Sequence, residues 1–162
     1  MMMRDGLDKV SLRNPVHFLA LGFGSGLSPV VPGTMGTLAA VPVWWLLAHL
    51  SLPWYLLAIV LSFIVGVYLC DKTSRDMQVH DSGAIVWDEF VGLFITMLAL
   101  PAMTWQWVLT GFVLFRFFDM VKPWPIRWFD RKVDGGFGIM IDDVIAGIIA
   151  AACLWLGAQW WA

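Results

Sequence analysis

Residues 139–161 read IMIDDVIAGIIAAACLWLGAQWW, and this stretch decides the class of fold. It contains the acidic pair Asp142 and Asp143 near its start, and no other Asp, Glu, Lys or Arg follows in it. The uncharged apolar run approaches the roughly 20 residues that a helix needs to cross a bilayer. The stretch therefore predicts a membrane-spanning helix that carries two carboxylates at one end.

The rest of the chain shows the same separation of charge from apolar sequence. Every charged residue lies in one of three blocks, 4–13, 71–89 and 116–143, and the chain is 60% hydrophobic and only 14% charged. An ordinary soluble domain has about 25% charged residues. We therefore expect a single integral membrane domain over 14–162, preceded by a cytoplasmic tail over 1–13. The net charge of −2 and the lack of a basic stripe give no indication of a nucleic-acid partner.

Five apolar segments are candidates for membrane spans. They are 36–50, 53–70, 84–100, 103–119 and 139–161. Several are short, so we expect that some of them stop part-way across the bilayer. The sequence predicts an all-α, polytopic membrane helical bundle with about four to five membrane segments.

The basic residues outside these segments all lie at one end of the predicted bundle. They are Arg4, Lys9, Arg13, Lys72, Arg75, Lys122, Arg127, Arg131 and Lys132. Because short cytoplasmic loops carry an excess of Lys and Arg, this end is expected to face the cytoplasm. The turns at the other end carry no basic residue and are rich in Trp, which is typical of the opposite membrane interface.

Two acidic pairs, Asp88–Glu89 and Asp142–Asp143, each precede an apolar run. A carboxylate at the hydrocarbon boundary is costly unless something compensates it. On helices, each pair shares an arc of about 100° with small residues, which let two helices approach closely in lipid. Those small residues are Gly92, Thr96, Ala146 and Ala150. We expect the two helices to pack together and to join four carboxylates in one site; the alternative is that the acids only complement helix N-termini.

Basic side chains are expected beside these acids. Arg116 and Asp119 are three residues apart and share one helix face, where a simple ion pair is the alternative interpretation. Residues 122–132 follow as KPWPIRWFDRK, in which prolines end the helix and hold Lys122 and Arg127 near the carboxylates. Carboxylate oxygens without His or Cys at ligand spacing favour Mg²⁺, which bridges to phosphate. The pattern predicts a metal-dependent phosphatase or phosphotransferase at the level of lipid headgroups.

Residues 22–37 read GFGSGLSPVVPGTMGT, which is unusual ahead of a membrane helix. Glycine and proline prevent a continuous helix, and exposed backbone N–H groups can form an anion-binding nest. Thr34 or Thr37 is expected to cap the first span. A loop that serves only for packing explains the spacing equally well.

Taken together, three segments give the chain a specific resemblance to a known family. They read NPVHFLALGFGSGLSPVVPGTMGTLAA at 14–40, MQVHDSGAIVWDEFVG at 77–92 and FRFFDMVKPWPIRWFDRKVDGGFGIMIDDVIAG at 115–147. In these segments the chain resembles the phosphatidylglycerophosphatase A family. The resemblance implies a multi-pass enzyme of the bacterial inner (cytoplasmic) membrane whose active site faces the cytoplasm. It also implies Mg²⁺-dependent hydrolysis of phosphatidylglycerophosphate to phosphatidylglycerol and phosphate.

The resemblance carries the family's signature residues onto this chain. The signature acids correspond to Asp88, Glu89, Asp119, Asp142 and Asp143, and the basic residues to Arg116, Lys122 and Arg127. Our hypothesis is that Glu89, Asp142 and Asp143 hold the metal. The catalytic group is then Asp88, which orients or deprotonates water, with Asp119, Arg116 and Lys122. Substrate binding is assigned to Arg127, Gly24, Gly33, Thr34 and Gly36. The lipid substrate and the bilayer are the expected partners, with no protein partner indicated.

Other classes remain as alternatives. A small ion-conducting or Mg²⁺-transport protein predicts acids deep in the bilayer, whereas these cluster at one edge. A phosphatidyltransferase would carry an Asp-Gly-x-x-Ala-Arg pattern, which is missing. A non-catalytic assembly protein would tolerate acid-to-amide changes at Asp88 and Asp119. The histidines His17, His49 and His80 are isolated in sequence, and His80–Asp81 is a minor candidate for direct chemistry.

Overall fold

A computed structural model describes residues 7–79 and 82–161, and within those residues the chain forms α-helices and short 3-10 turns without any β-strand. The helices are α1 (Pro15–Ala20), α2 (Pro32–Leu47), α3 (Leu52–Met77), α4 (Trp87–Thr96), α5 (Trp105–Val121), α6 (Ile126–Lys132) and α7 (Gly135–Trp161). The all-α prediction is confirmed. Arg4, Asp5 and the pair His80–Asp81 lie outside the described residues.

Two helices, α3 and α7, are long and apolar enough to cross a membrane. The outer face of α3 leaves Leu57, Leu61 and Ile64 exposed, as expected where lipid covers a helix. The bundle of four to five membrane segments therefore has direct support at two of its predicted spans.

The predicted span over 84–100 is different in the structure. The helix α4 has 10 residues, which at 1.5 Å per residue is about 15 Å, half the thickness of the hydrocarbon core. Nearly all of its side chains, from Asp88 to Phe94, are buried among α2, α3, α5 and α7. Because neighbouring helices enclose it, α4 has no need to reach both membrane surfaces.

The first turn of α2 also departs from the prediction. The helix begins at Pro32, not at a threonine cap, because proline has a backbone angle suited to the first helical position and needs no N–H partner there. Thr34 and Thr37 are therefore inside the helix, and the hydroxyl of Thr37 donates to the carbonyl of Gly33 across 2.9 Å. The hydroxyls of Thr34 and Thr37 therefore lie on the side of α2 and not at its N-terminal cap.

The last predicted span, 139–161, lies within one helix that begins four residues earlier. The helix α7 begins at Gly135, about two turns before Asp142, and Gly136 in its first turn lies directly against the backbone of α3. A Cβ atom at Gly136 would lie 2.1 Å from the carbonyl oxygen of Val67. The acidic pair is consequently inside α7, so its position is not explained by a helix N-terminus alone.

The helices α4 and α7 pack together as predicted, but through a different residue of α7. A Cβ atom at Gly147 would lie 2.6 Å from the carbonyl oxygen of Gly92, so the two backbones touch here. Ala146 and Ala150, which the sequence assigned to this contact, instead pack with Phe115 of α5. This close approach brings the acidic ends of α4 and α7 side by side.

The charged ends of the helices meet at one end of the bundle. At the opposite end, the hydroxyl of Tyr55 donates to the carbonyl oxygen of Phe94 across 2.6 Å and ties α3 to α4. His17, which appears isolated in sequence, contacts Asp76 at 2.7 Å and accepts a hydrogen bond from the backbone N–H of Ser11. This contact fixes α1 against α3.

Candidate active site

Three buried carboxylates form the centre of the site. Each of Asp88, Glu89 and Asp143 offers an oxygen, and these oxygens lie within 4.8 Å of one another. Residue exposures of 7%, 7% and 2% leave little water to screen their charges. Three carboxylates so close repel one another strongly unless cations neutralise them.

Arg116 supplies part of that neutralisation. Its Nη1 donates to Oε2 of Glu89 across 3.0 Å and also to Oδ2 of Asp119 one helical turn away. The ion pair with Asp119, which was the alternative interpretation of the sequence, is thus present, and the guanidinium also joins α5 to α4. Because a guanidinium has several donors in a fixed plane, one side chain holds both carboxylates in defined positions.

The first two turns of α2 form one wall of the site around Arg116 and Glu89. The Nε of Arg116 donates to Thr34 Oγ1 across 3.2 Å. The single O–H of Thr37 is shared between the carbonyl of Gly33 at 2.9 Å and Oε2 of Glu89 at 3.2 Å. A Cβ atom at Gly33 would lie 3.0 Å from Nη2 of Arg116 and 3.2 Å from Oε1 of Glu89. The glycine therefore leaves room for the Arg116–Glu89 pair to sit against the α2 backbone.

Lys122 provides the second cation. It follows the last residue of α5 and adopts a left-handed backbone conformation with φ of 50°. Its Nζ lies 3.6 Å from Oδ1 of Asp119. Burial opposes its charge, but the surrounding acids, Asp119 first and then Asp143 and Asp142, raise the pKa of the Lys122 ammonium above its usual range. The side chain therefore stays positively charged at neutral pH.

These groups surround a cavity of about 380 Å³. Its charged lining residues are Asp88, Glu89, Arg116, Asp119, Lys122, Asp142 and Asp143, and Gly33 and Ser82 also line it. Asp142 belongs to the cavity wall but not to the close group of three carboxylates. The geometry therefore favours Asp88 in place of Asp142 as the third member of the carboxylate group.

Three of the predicted substrate-binding residues lie away from this cavity. Gly24 lies beside Leu12 and has a left-handed φ of 96°, which favours glycine. A Cβ atom at Gly36 would lie 2.5 Å from Cβ of Val86, so this glycine serves packing. Arg127 is exposed and lines a neighbouring groove instead. Of the predicted set, Gly33 lines the cavity and Thr34 contacts Arg116.

Sequence reasoning missed the part played by Thr37. It was considered only as a helix cap, yet its fully buried hydroxyl contacts Glu89. The available signal was its four-residue spacing from Gly33, which places both residues on one face of α2.

The carboxylate group has the chemistry of a divalent-cation site. Oδ2 of Asp143 is buried and has no hydrogen-bond donor among the described residues, although a buried carboxylate oxygen normally has one. All the members of the group are oxygen ligands, which Mg²⁺ and Ca²⁺ prefer. A cation at this position would supply the interaction that Asp143 lacks, so the residues fit such an ion.

Comparisons with known proteins agree with the resemblance that the motifs indicated. The profile of the phosphatidylglycerophosphatase A family matches residues 18–158. A protein of Escherichia coli K12 named phosphatidylglycerophosphatase A is 59% identical over 153 residues, which are 94% of this chain and 89% of that protein. A protein of the same name from Haemophilus influenzae Rd is 54% identical over 156 residues, covering 96% and 95% of the two chains.

A more distant relative carries a different name. A Bacteroides thetaiotaomicron protein, provisionally named as a phosphatidylinositol-3-phosphatase, is 40% identical over 137 residues, which are 80% of this chain and 85% of that protein. No solved structure matches the chain. The family match and the two high identities extend over nearly the whole sequence, including every residue of the carboxylate group. The chain belongs to the phosphatidylglycerophosphatase A family.

Proposed function

We propose that this protein is a lipid phosphatase that hydrolyses the terminal phosphomonoester of phosphatidylglycerophosphate, giving phosphatidylglycerol and inorganic phosphate. The observation that carries this proposal is a cavity in which three buried carboxylates face Arg116 and Lys122. Carboxylates for a metal ion beside cations for phosphate are the parts that phosphoryl transfer needs. The names of the Escherichia coli and Haemophilus influenzae relatives support the choice of substrate.

The proposal includes a requirement for Mg²⁺. Asp88, Glu89 and Asp143 would hold the ion, and the unsatisfied Asp143 oxygen supports this assignment. When bound, such an ion neutralises phosphate charge and lowers the pKa of coordinated water. The sequence-based assignment of Asp142 as a ligand is replaced here by Asp88, while Asp142 remains on the cavity wall.

The remaining residues of the cavity bind and orient the phosphate. Lys122 lines the cavity with its Nζ 3.6 Å from Oδ1 of Asp119, a long contact that leaves its ammonium donors for a phosphate oxygen. Arg116 is held by Glu89, Asp119 and Thr34, so it positions those carboxylates and presents its remaining N–H donors to the cavity. Fixed donors of this kind stabilise charge that develops on the transferred phosphoryl group without reorganising during the reaction.

The membrane placement is part of the same proposal. We expect α2, α3, α5 and α7 to be the membrane segments, with α4 enclosed among them, which gives four segments. The excess of Lys and Arg at the end that holds the cavity supports a cytoplasmic site in the inner membrane. A cavity at this edge places the reacting phosphate at the level of the lipid headgroups.

The direct test is phosphate release by the purified protein in detergent micelles. The substrates are phosphatidylglycerophosphate, phosphatidate, lysophosphatidate and phosphatidylinositol 3-phosphate, each with Mg²⁺ and with a chelator. We expect the highest kcat/KM for phosphatidylglycerophosphate in the presence of Mg²⁺. No release from that lipid would overturn the proposed substrate, and activity that persists in chelator would overturn the proposed metal requirement.

A further inference from the structure

A second groove lies beside the carboxylate cavity and is not used by the chemistry described above. It has a volume of about 460 Å³ and is formed by the turn after α5 and by α6. Its charged and aromatic lining residues are Lys122, Trp124, Arg127, Trp128, Arg131 and Lys132. No acidic residue lines it within the described part of the chain.

The arrangement of these side chains follows from the short helix α6. Arg127 and Arg131 are four residues apart on α6 and share one helix face, while Trp124 lies in the turn before α6 and Trp128 lies on the helix. Trp124 is 80% exposed and Trp128 is 48% exposed, although both are large aromatic side chains. Exposed tryptophans among cations are typical of a surface in contact with lipid headgroups.

The two cavities share one residue, Lys122, which lines both. On one side, its ammonium approaches Asp119 of the carboxylate cavity. On the other side, the chain turns through Pro123 and Pro125 into α6, which carries Arg127 and Arg131. A ligand with two anionic groups separated by a short linker therefore fits the pair of cavities.

We infer that this groove binds the phosphodiester of the lipid substrate while the phosphomonoester occupies the carboxylate cavity. The inference rests on the proposed function, because phosphatidylglycerophosphate carries these two phosphates on one glycerol. The phosphodiester has a single negative charge and two free oxygens, which suit the planar donors of Arg127 and Arg131. The tryptophans then lie beside the glycerol backbone and the first acyl carbons. The groove thus selects lipids that have a phosphodiester next to the reacting phosphate.

The test separates the two phosphates by using a different probe for each. Short-chain phosphatidylglycerol has the phosphodiester without the phosphomonoester, and inorganic phosphate, added together with Mg²⁺, represents the phosphomonoester without the phosphodiester. The binding of each probe to purified protein in neutral detergent is measured by calorimetry. The proteins are the wild type, the double variant Arg127→Gln/Arg131→Gln, and a control with the same change in charge, Arg13→Gln/Arg75→Gln, whose exposed residues line neither cavity.

We expect the groove variant to bind short-chain phosphatidylglycerol about 100-fold more weakly, at about tenfold for each charge-assisted contact. Its affinity for inorganic phosphate should stay within about twofold of the wild type, since Lys122 and the carboxylate cavity are intact. The control should bind both probes as the wild type does.

Three results would overturn the inference. One is that the groove variant binds phosphatidylglycerol as tightly as the wild type does, or that the wild type does not bind it. Another is that the groove variant loses affinity equally for both probes. The third concerns an additional probe, dodecanoate, which is an anionic amphiphile without phosphate. If the groove variant loses as much affinity for dodecanoate as for phosphatidylglycerol, the groove responds only to negative charge. Failure of the proposed function is a separate observation, namely that the wild type releases no phosphate from phosphatidylglycerophosphate.

Discussion

Arg116 of α5 donates to Glu89 of α4 across 3.0 Å, and this contact joins the two helices at the charged end of the bundle. Both side chains are almost completely buried, at 12% and 9% exposure. A buried ion pair has a high desolvation cost, and removal of one partner leaves an uncompensated charge. The pair therefore positions the carboxylate group more than it stabilises the fold.

The carboxylate group can be tested by single changes of acid to amide. Glu89→Gln and Asp143→Asn remove one negative charge each while keeping the shape of the side chain. We expect phosphate release from phosphatidylglycerophosphate to fall by at least about 100-fold, because each carboxylate contributes to the charge balance in the transition state. The control is Asp8→Asn, an exposed acid outside the cavity, which should keep the wild-type rate. Near-wild-type rates for Asp143→Asn would contradict the assignment.

Thr37 is predicted to position Glu89. The change Thr37→Val removes the hydroxyl that donates to Glu89 and keeps the volume nearly constant. We expect kcat/KM to fall by about tenfold and the apparent affinity for Mg²⁺ to fall with it, because hydrogen bonds to metal-ligating side chains hold those side chains in the orientation that binds the ion.

The matched control for Thr37 is Thr73→Val. Thr73 is also fully buried, but its hydroxyl has no hydrogen-bond partner among the described residues. This variant should keep both the rate and the Mg²⁺ affinity. If the two valine variants behave alike, the contact between Thr37 and Glu89 has no part in positioning the carboxylate.

The contact between α4 and α7 is predicted to need glycine. In Gly147→Ala the new methyl group would lie 2.6 Å from the carbonyl oxygen of Gly92, so the helices must separate. Such overpacking costs about 1–3 kcal/mol and should lower the thermal unfolding midpoint in detergent by roughly 5 °C. The control Gly157→Ala, in the same helix, has no atom within 4 Å and should leave the midpoint unchanged or raise it. Equal midpoints for the two variants would contradict the close packing.

Lys122 gives a prediction about pH. Its pKa is raised in the folded protein, so its charge contributes to stability below the unfolded pKa of about 10.4 and is lost only as pH rises through the higher folded value. The difference in unfolding midpoint between the wild type and Lys122→Met should therefore be constant from about pH 6 to about pH 9. A difference that shrinks between pH 7 and pH 9 would mean that Lys122 loses its proton in this range.

The sequence predicted the parts of the fold that depend on local composition. The uncharged run after Asp143 predicted a long membrane helix, and the acidic pairs predicted a shared site, because the exclusion of charge from lipid acts on each segment separately. The spacing of Arg116 and Asp119 likewise predicted that they share a helix face, and the ion pair that the sequence left as an alternative interpretation is present.

The details that sequence reasoning missed depend on contacts between distant segments. In the first turn of α7, Gly136 packs against Val67 of α3, and the short helix α4 is enclosed by other helices. The position of Arg127 outside the cavity follows from the turn at Pro123 and Pro125, whose direction no local pattern specifies. Such contacts join residues that are far apart in the chain, so periodicity within one segment contains no information about them.

The central claim is that Asp88, Glu89 and Asp143 hold a divalent cation that is needed to hydrolyse phosphatidylglycerophosphate. The most direct measurement is phosphate release from this lipid by the wild type and by Asp143→Asn over a titration of Mg²⁺ after treatment with chelator. We predict that the chelated wild type is inactive and recovers with Mg²⁺, and that Asp143→Asn remains inactive or needs much more Mg²⁺. Full activity of the wild type in chelator, or an identical Mg²⁺ dependence for the two proteins, would contradict the account.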